Sequence, residues 1–217
     1  MERGFIMNIK KEYYKNLAQT VLKAFPKRHI EGHYCETIEE AKELALSMVK
    51  ENTSVSFGGS VTLEETGVLD ALRANNTITL YDRATATSPE ETKKIMHDAL
   101  SCDYYFMSSN AITVDGELVN IDGNGNRVAA LIYGPENVII LVGMNKIVKN
   151  VEDGISRTRN LASPQNCLRL SKNNPCAING VCGNCLSDTI CDQIVITRAS
   201  RVPNRIKVIL IGEELGF

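Results

Sequence analysis

The chain has 217 residues, of which 43% are hydrophobic and 23% charged, with a net charge of −2. That length suits one α/β domain, or a domain with a small appendage. The balanced charge supplies no field to draw in nucleic acid or an anionic membrane. No apolar run approaches the roughly 20 residues of a membrane span, and the N-terminal MERGFIMNIKKEYYKN lacks a signal-peptide core. A cytoplasmic protein is the expectation.

In chain order, residues 8–25 space their apolar positions as a helix does, from Ile9 to Phe25, and Pro26 stands just beyond. His33 to Cys35 reads as a short strand. Thr37 then caps a helix, with Glu40 at the reciprocal capping position. Ser54 to Phe57 is the next strand. It opens into Gly58, Gly59 and Ser60 before a helix expected over Val61 to Leu72. Strand, glycines, hydroxyl and helix are the layout of an anion-binding turn, because bare backbone and a helix N-terminus both favour negative charge. A tight turn with no ligand gives the same short pattern.

Thr77 to Tyr81 forms another strand and closes on Asp82. Ser88 and Pro89 open a helix with acids in its first turn. Tyr104 to Met107 is an apolar strand ending at Ser108, Ser109 and Asn110, small polar residues suited to a pocket rim. A hairpin follows around Asp115-Gly116. Asp122-Gly-Asn-Gly-Asn126 then bares the backbone ahead of a helix that begins at Arg127. Asn137 to Gly143 is a continuous apolar strand of the kind buried on both faces. Residues 145–161 read as mostly helical and stopped by Ser163-Pro164. Gln193 to Thr197 and Arg205 to Gly212 are the last strands.

Alternating strands and helices imply a three-layer α/β fold, with a mainly parallel sheet and helices on both faces. Ligands of such sheets bind at the carboxyl ends of the strands. Gly58, Gly59, Ser60, Asp82, Ser109, Asn110, Asn120, Gly123, Asn126 and Arg127 are therefore expected to bind a small carboxylate or phosphate, with Arg127 as a bidentate clamp. Among the carboxylates, Asp122 and Glu214 are candidates for acid–base work, the latter because it follows a buried strand.

Seven cysteines are present, five of them between positions 167 and 191. Without a secretion signal, that clustering argues for metal or redox chemistry over a disulfide framework. Cys176, Cys182, Cys185 and Cys191 offer four thiolates around a C-x-x-C clip, enough for zinc or an iron–sulfur cluster. The outer five-residue spacings match no standard finger or ferredoxin run and do not choose between the two. Cys167 is expected to lie outside the set. There are no repeats, and the one break in composition, at about 164–191, is this loop within a single domain over 1–217.

The segments FGGSVTLEETG, SSNAITVDGELVNIDGNGNRVAALIYGP, PCAINGVCGNCLSDTICD and ILIGEELGF resemble the LUD-domain family of lactate-utilisation proteins, once a domain of unknown function. The resemblance covers nearly the whole chain. It implies the fold shared by ribose-5-phosphate isomerase, glucosamine-phosphate deaminase and CoA transferases. It also implies a part in oxidising L-lactate to pyruvate with iron–sulfur protein partners. The central segment is similar to methylthioribose-phosphate isomerases, whose catalytic aspartate falls near Asn110, so Asn110 becomes a catalytic candidate and simple isomerase chemistry comes into doubt. The alternative is a stand-alone isomerase, deaminase or transferase for a sugar phosphate or CoA-linked substrate, with a structural zinc. Either reading leaves a homo-oligomer open.

Overall fold

The computed structural model describes residues 2–217, with side chains from residue 8 onward. Helix α1 (Glu2–Ala24) leads to β1 (Glu31–Cys35), α2 (Ile38–Ser47) and β2 (Ser54–Phe57). Then come α3 (Val61–Glu65), α4 (Val68–Ala74), β3 (Thr79–Tyr81), α5 (Pro89–Asp98) and β4 (Tyr104–Met107). A hairpin of β5 (Ala111–Thr113) and β6 (Leu118–Asp122) precedes α6 (Asn126–Tyr133) and β7 (Asn137–Gly143). After β7 come β8 (Ile147–Val148), α7 (Val151–Arg157), α8 (Ser163–Arg169), α9 (Pro175–Asn179), β9 (Gln193–Thr197) and β10 (Ile206–Ile211).

Six strands form one sheet in the order β1-β10-β7-β4-β2-β3, and every neighbouring pair is parallel. Strand side chains alternate between faces, and both faces are covered. Val138, Ile140, Val142, Val208 and Leu210 join Ala18, Val21 and Phe25 of the α1 side, with Ala130 and Leu131 of α6. Ile139, Leu141, Ile209 and Ile211 face the other way, against Ala41, Ala45, Leu63, Leu69 and Leu72 of α2 to α4. Burial on both sides explains why β7 and β10 are unbroken apolar runs.

Three sequence expectations need correction. The helix expected over 61–72 is two helices, because Gly67 takes φ +65° and stops α3 from running on. The helix expected over 145–161 is interrupted. A 3₁₀ turn at Met144–Lys146 and strand β8 come first, and α7 passes through a π-helical turn at Thr158–Ala162 into α8. Ser163-Pro164 therefore does not end the helical stretch. Proline sits in the first turn of α8, where its missing N–H is tolerated. Finally, β9 leaves the parallel sheet. It pairs antiparallel with β6 in a second sheet ordered β8-β5-β6-β9. The expected hairpin is present, with Gly116 at φ +83° and its N–H donated to Thr113 O.

Candidate functional site

A cavity of about 530 Å³ opens at the carboxyl edge of the large sheet. The turn after β2 contributes Gly59, Ser60 and Thr62, and the turn after β4 contributes Ser108, Ser109 and Asn110. The β6–α6 connection brings Asp122, Gly123, Asn126 and Arg127. The outer wall is Asn166, Arg169 and Lys172, with residues 188–190 of the cysteine-rich lobe. Ile190 crosses Gly123 so closely that a Cβ there would stand 3.3 Å from the Ile190 Cα.

Arg127 organises this edge, but it is not a clamp for a ligand. Its Nε lies 3.2 Å from Asp122 Oδ2. One terminal nitrogen donates to Ser108 O and Asn120 Oδ1; the other donates to Asn110 Oδ1 at 3.1 Å and Ile121 O at 2.8 Å. A guanidinium has five N–H donors; here four bond to protein oxygens and the Nε faces the Asp122 carboxylate. Asp122 is similarly engaged, since Oδ1 accepts from Gly125 N at 3.0 Å. Asn110 Oδ1 also accepts from Ile121 N, and Asn120 Oδ1 from Asn110 N. Asn120 is fully buried and its Nδ2 has no partner. These four side chains tie the β4, β6 and α6 ends into one rigid rim.

Other expected site residues have different work. Gly58 does not line the cavity; its N–H donates to Phe106 O, and a Cβ would press on Arg127 and Tyr105. Asp82 is buried behind the rim, where it caps Ala84 N and pairs with Arg73 Nε at 2.9 Å. Ser60 Oγ caps α3 through Leu63 N, and α3 has only five residues, too few to sum a helix dipole of useful size. Glu214 lies away from the cavity. It accepts from Lys10 Nζ at 2.7 Å and Tyr14 OH at 2.8 Å, contacts that hold its carboxyl below the usual range.

Lys146 is the residue that sequence reading missed. It sits on the 3₁₀ turn directly after β7, 4% exposed, and lines the cavity. Its Nζ donates to Thr62 Oγ1 at 2.7 Å and Ser108 Oγ at 3.3 Å. Burial, then the charges of Arg157 and Arg127, push its amine down to about 7, with Glu65 opposing. The available signal was position: Lys146 follows a buried strand, as Ser108–Asn110 does, but its surroundings in sequence read as a helix surface. Arg83 also lines the cavity, its guanidinium lying over Gly59.

In the cysteine-rich lobe, Cys167 Sγ is 3.7 Å from Cys176 Sγ. Asn174 lies between Cys167 and Cys185, at 3.5 and 3.6 Å, and Cys191 Sγ is 3.2 Å from Ser163 Oγ. Cys167, expected to lie outside the metal-ligand set, is thus seated close to Cys176. Burial and the neighbouring sulfurs raise it to about 12. Burial opposes ionisation of Cys182 too, but a backbone N–H at Asn184 and the Arg159 side chain outweigh it and lower that thiol. Among the described residues, no three His, Cys, Asp or Glu side chains converge as metal ligands.

No helix of the described residues is long and apolar enough to cross a membrane. None of the curated proteins matches the sequence. Among solved structures, the chain is similar to a DUF162 family protein from Deinococcus radiodurans, at 9% identity and TM-score 0.49, covering 93% of this chain and 98% of that one. It is also similar to the eIF2B-β2-δ2 tetramer of C. thermophilum, at 15% identity and TM-score 0.40, covering 80% and 55%. Ribose 5-phosphate isomerase A from Neisseria gonorrhoeae matches at 16% identity and TM-score 0.34, covering 54% and 56%. The family model of the LUD domain matches residues 18–211, so the chain belongs to the LUD-domain family.

Proposed function

We propose that this LUD-domain chain binds a small anionic metabolite in the cavity at the carboxyl edge of its sheet. One observation carries the reading. Five cationic side chains line the cavity, Arg83, Arg127, Lys146, Arg169 and Lys172, against two carboxylate side chains, Asp122 and Asp188. Both carboxylates are already paired, Asp122 with Arg127 and Asp188 with Lys172 at 2.7 Å. Arg83, Lys146 and Arg169 are left without a carboxylate among the described residues; Arg169 is met only by the neutral Asn166 side chain. Cations gathered in one concave site attract and orient an anion.

Within that reading, a role in lactate utilisation fits the family, with lactate or its oxidation product as the anion and iron–sulfur proteins as partners. A second reading is favoured by size. A cavity of about 530 Å³ falls in the range that encloses drug-sized ligands and exceeds the needs of a three-carbon acid. A sugar phosphate or CoA-linked substrate of an isomerase, deaminase or transferase would fill it better. We also infer that Cys176, Cys182, Cys185 and Cys191 take up one metal centre, zinc or iron–sulfur. The thiols would have to draw together to do so, and the binding site does not depend on it.

Thermal-shift titration with lactate, pyruvate, ribose 5-phosphate and CoA tests the anion site. Stabilisation by at least one of them that is lost in Arg83→Met/Arg169→Met supports it. No stabilisation by any, or equal stabilisation of the variant, contradicts it.

A further inference from the structure

Of the cations in the cavity, Lys146 differs in kind. Its nitrogen is held by two hydroxyl groups, Thr62 Oγ1 and Ser108 Oγ, with Gly216 close by, and the residue lines the cavity. No carboxylate of the described residues pairs with it, although a buried ammonium ordinarily demands one. The nearby charges are Arg127 and Arg157, with Glu65 as the one opposing group. Both arginines are engaged elsewhere. Arg127 is held to the rim by four hydrogen bonds and its ion pair with Asp122, and Arg157 donates to Asn145 O, Asn110 O and Phe217 O. Neither can move aside to relieve the crowding of positive charge. This is the environment that turns a lysine from a cation into a nucleophile: desolvated and beside fixed cations.

We infer that Lys146 forms a Schiff base with a carbonyl compound that also carries an anionic group, the anion being held by Arg83 and Arg169. The inference rests on the anion-binding reading above. The lone pair of Nζ adds to the carbonyl carbon and gives a carbinolamine. The carbonyl oxygen then leaves as water, taking up the two hydrogens that the amine gives up. The resulting imine is protonated from solvent. Thr62 and Ser108 hydroxyls, each able to donate and accept, are placed to pass protons to and from the nitrogen. No oxidant or reductant is consumed. Lowering of the amine toward neutral pH by burial makes the reacting form available under ordinary conditions.

The test is reductive trapping. The full chain is incubated at pH 7.5 with sodium cyanoborohydride and either pyruvate or ribose 5-phosphate, then digested and mapped by mass spectrometry. The expected result is an adduct at Lys146, with the mass of the carbonyl compound less one oxygen atom. It should form at least tenfold faster than at the exposed lysines. The compound that gives it distinguishes a 2-oxo acid from a phosphorylated aldose. Lys146→Arg keeps the charge and should abolish the site-specific adduct. Circular dichroism of that variant establishes that it is folded, and competition by the unreactive analogue lactate on wild type gives a second measure that needs no variant. Calorimetric binding of the same compounds separates the two readings. Binding without an adduct at Lys146 overturns the Schiff base and leaves the anion site standing; absence of binding overturns both.

Discussion

Arg127 Nε and Asp122 Oδ2 lie 3.2 Å apart at the rim of the cavity, with both side chains largely buried. The remaining donors of the guanidinium reach Ser108, Asn110, Asn120 and Ile121. Arginine here does the work of a linker between the β4 and β6 ends, which belong to different sheets.

Replacing Arg127 by Met is therefore expected to destabilise the fold, not merely to weaken binding. It leaves the Asp122 carboxylate without its cation and several oxygens without donors. Removing one member of a buried ion pair costs about 3–5 kcal/mol. Chemical denaturation of wild type and variant measures the loss. A variant as stable as wild type would show that the rim does not depend on this residue.

Lys146 gives the protein a specific pH dependence. Its amine titrates near 7 when folded, against an ordinary value of 10.5. Between those two values the unfolded chain binds the extra proton, so stability rises with pH across that window. Lys146→Met lacks this contribution and is expected to show a flatter dependence from pH 7 to 10, with its gain in stability largest at the low end. Parallel slopes for the two proteins would contradict the assigned environment.

Local chemistry made much of the fold readable. Ser88 and Pro89 start α5 as expected, and Thr37 Oγ1 accepts from Glu40 N at the start of α2. The Asp115-Gly116 turn and the unbroken strand at 137–143 also follow from short windows of sequence. What was not readable depends on partners far along the chain. Glu214 looked catalytic from its place after a strand, but Lys10 and Tyr14, about 200 positions away, claim it. Arg127 looked like a ligand clamp until its acceptors from the β4 and β6 ends were in place. Lys146 is buried only because Thr62 and Ser108, on separate elements, close over it.

Glu214→Gln is a direct check on that reassignment. The Lys10 contact is exposed, and surface ion pairs contribute little. The variant is expected to bind ligands as wild type does. A large loss of affinity or turnover would restore Glu214 to the site.

The cysteine-rich lobe calls for metal analysis of anaerobically purified protein. One metal centre per chain in wild type, lost in Cys185→Ser, is expected if Cys176, Cys182, Cys185 and Cys191 form a ligand set. Equal metal content in the two proteins, or none in wild type, would leave these residues as reduced thiols. The same analysis of Cys167→Ser shows whether its 3.7 Å approach to Cys176 reflects a part in that set.

The central claim is an anion held by Arg83 and Arg169 in the carboxyl-edge cavity, beside Lys146. Isothermal titration calorimetry of wild type and Arg83→Met/Arg169→Met, with whichever of lactate, pyruvate, ribose 5-phosphate or CoA stabilises the protein most, tests it most directly. A loss of at least about tenfold in affinity is expected, since a charge-assisted contact is worth about 1.5–3 kcal/mol. Equal affinity in the two proteins would contradict the site.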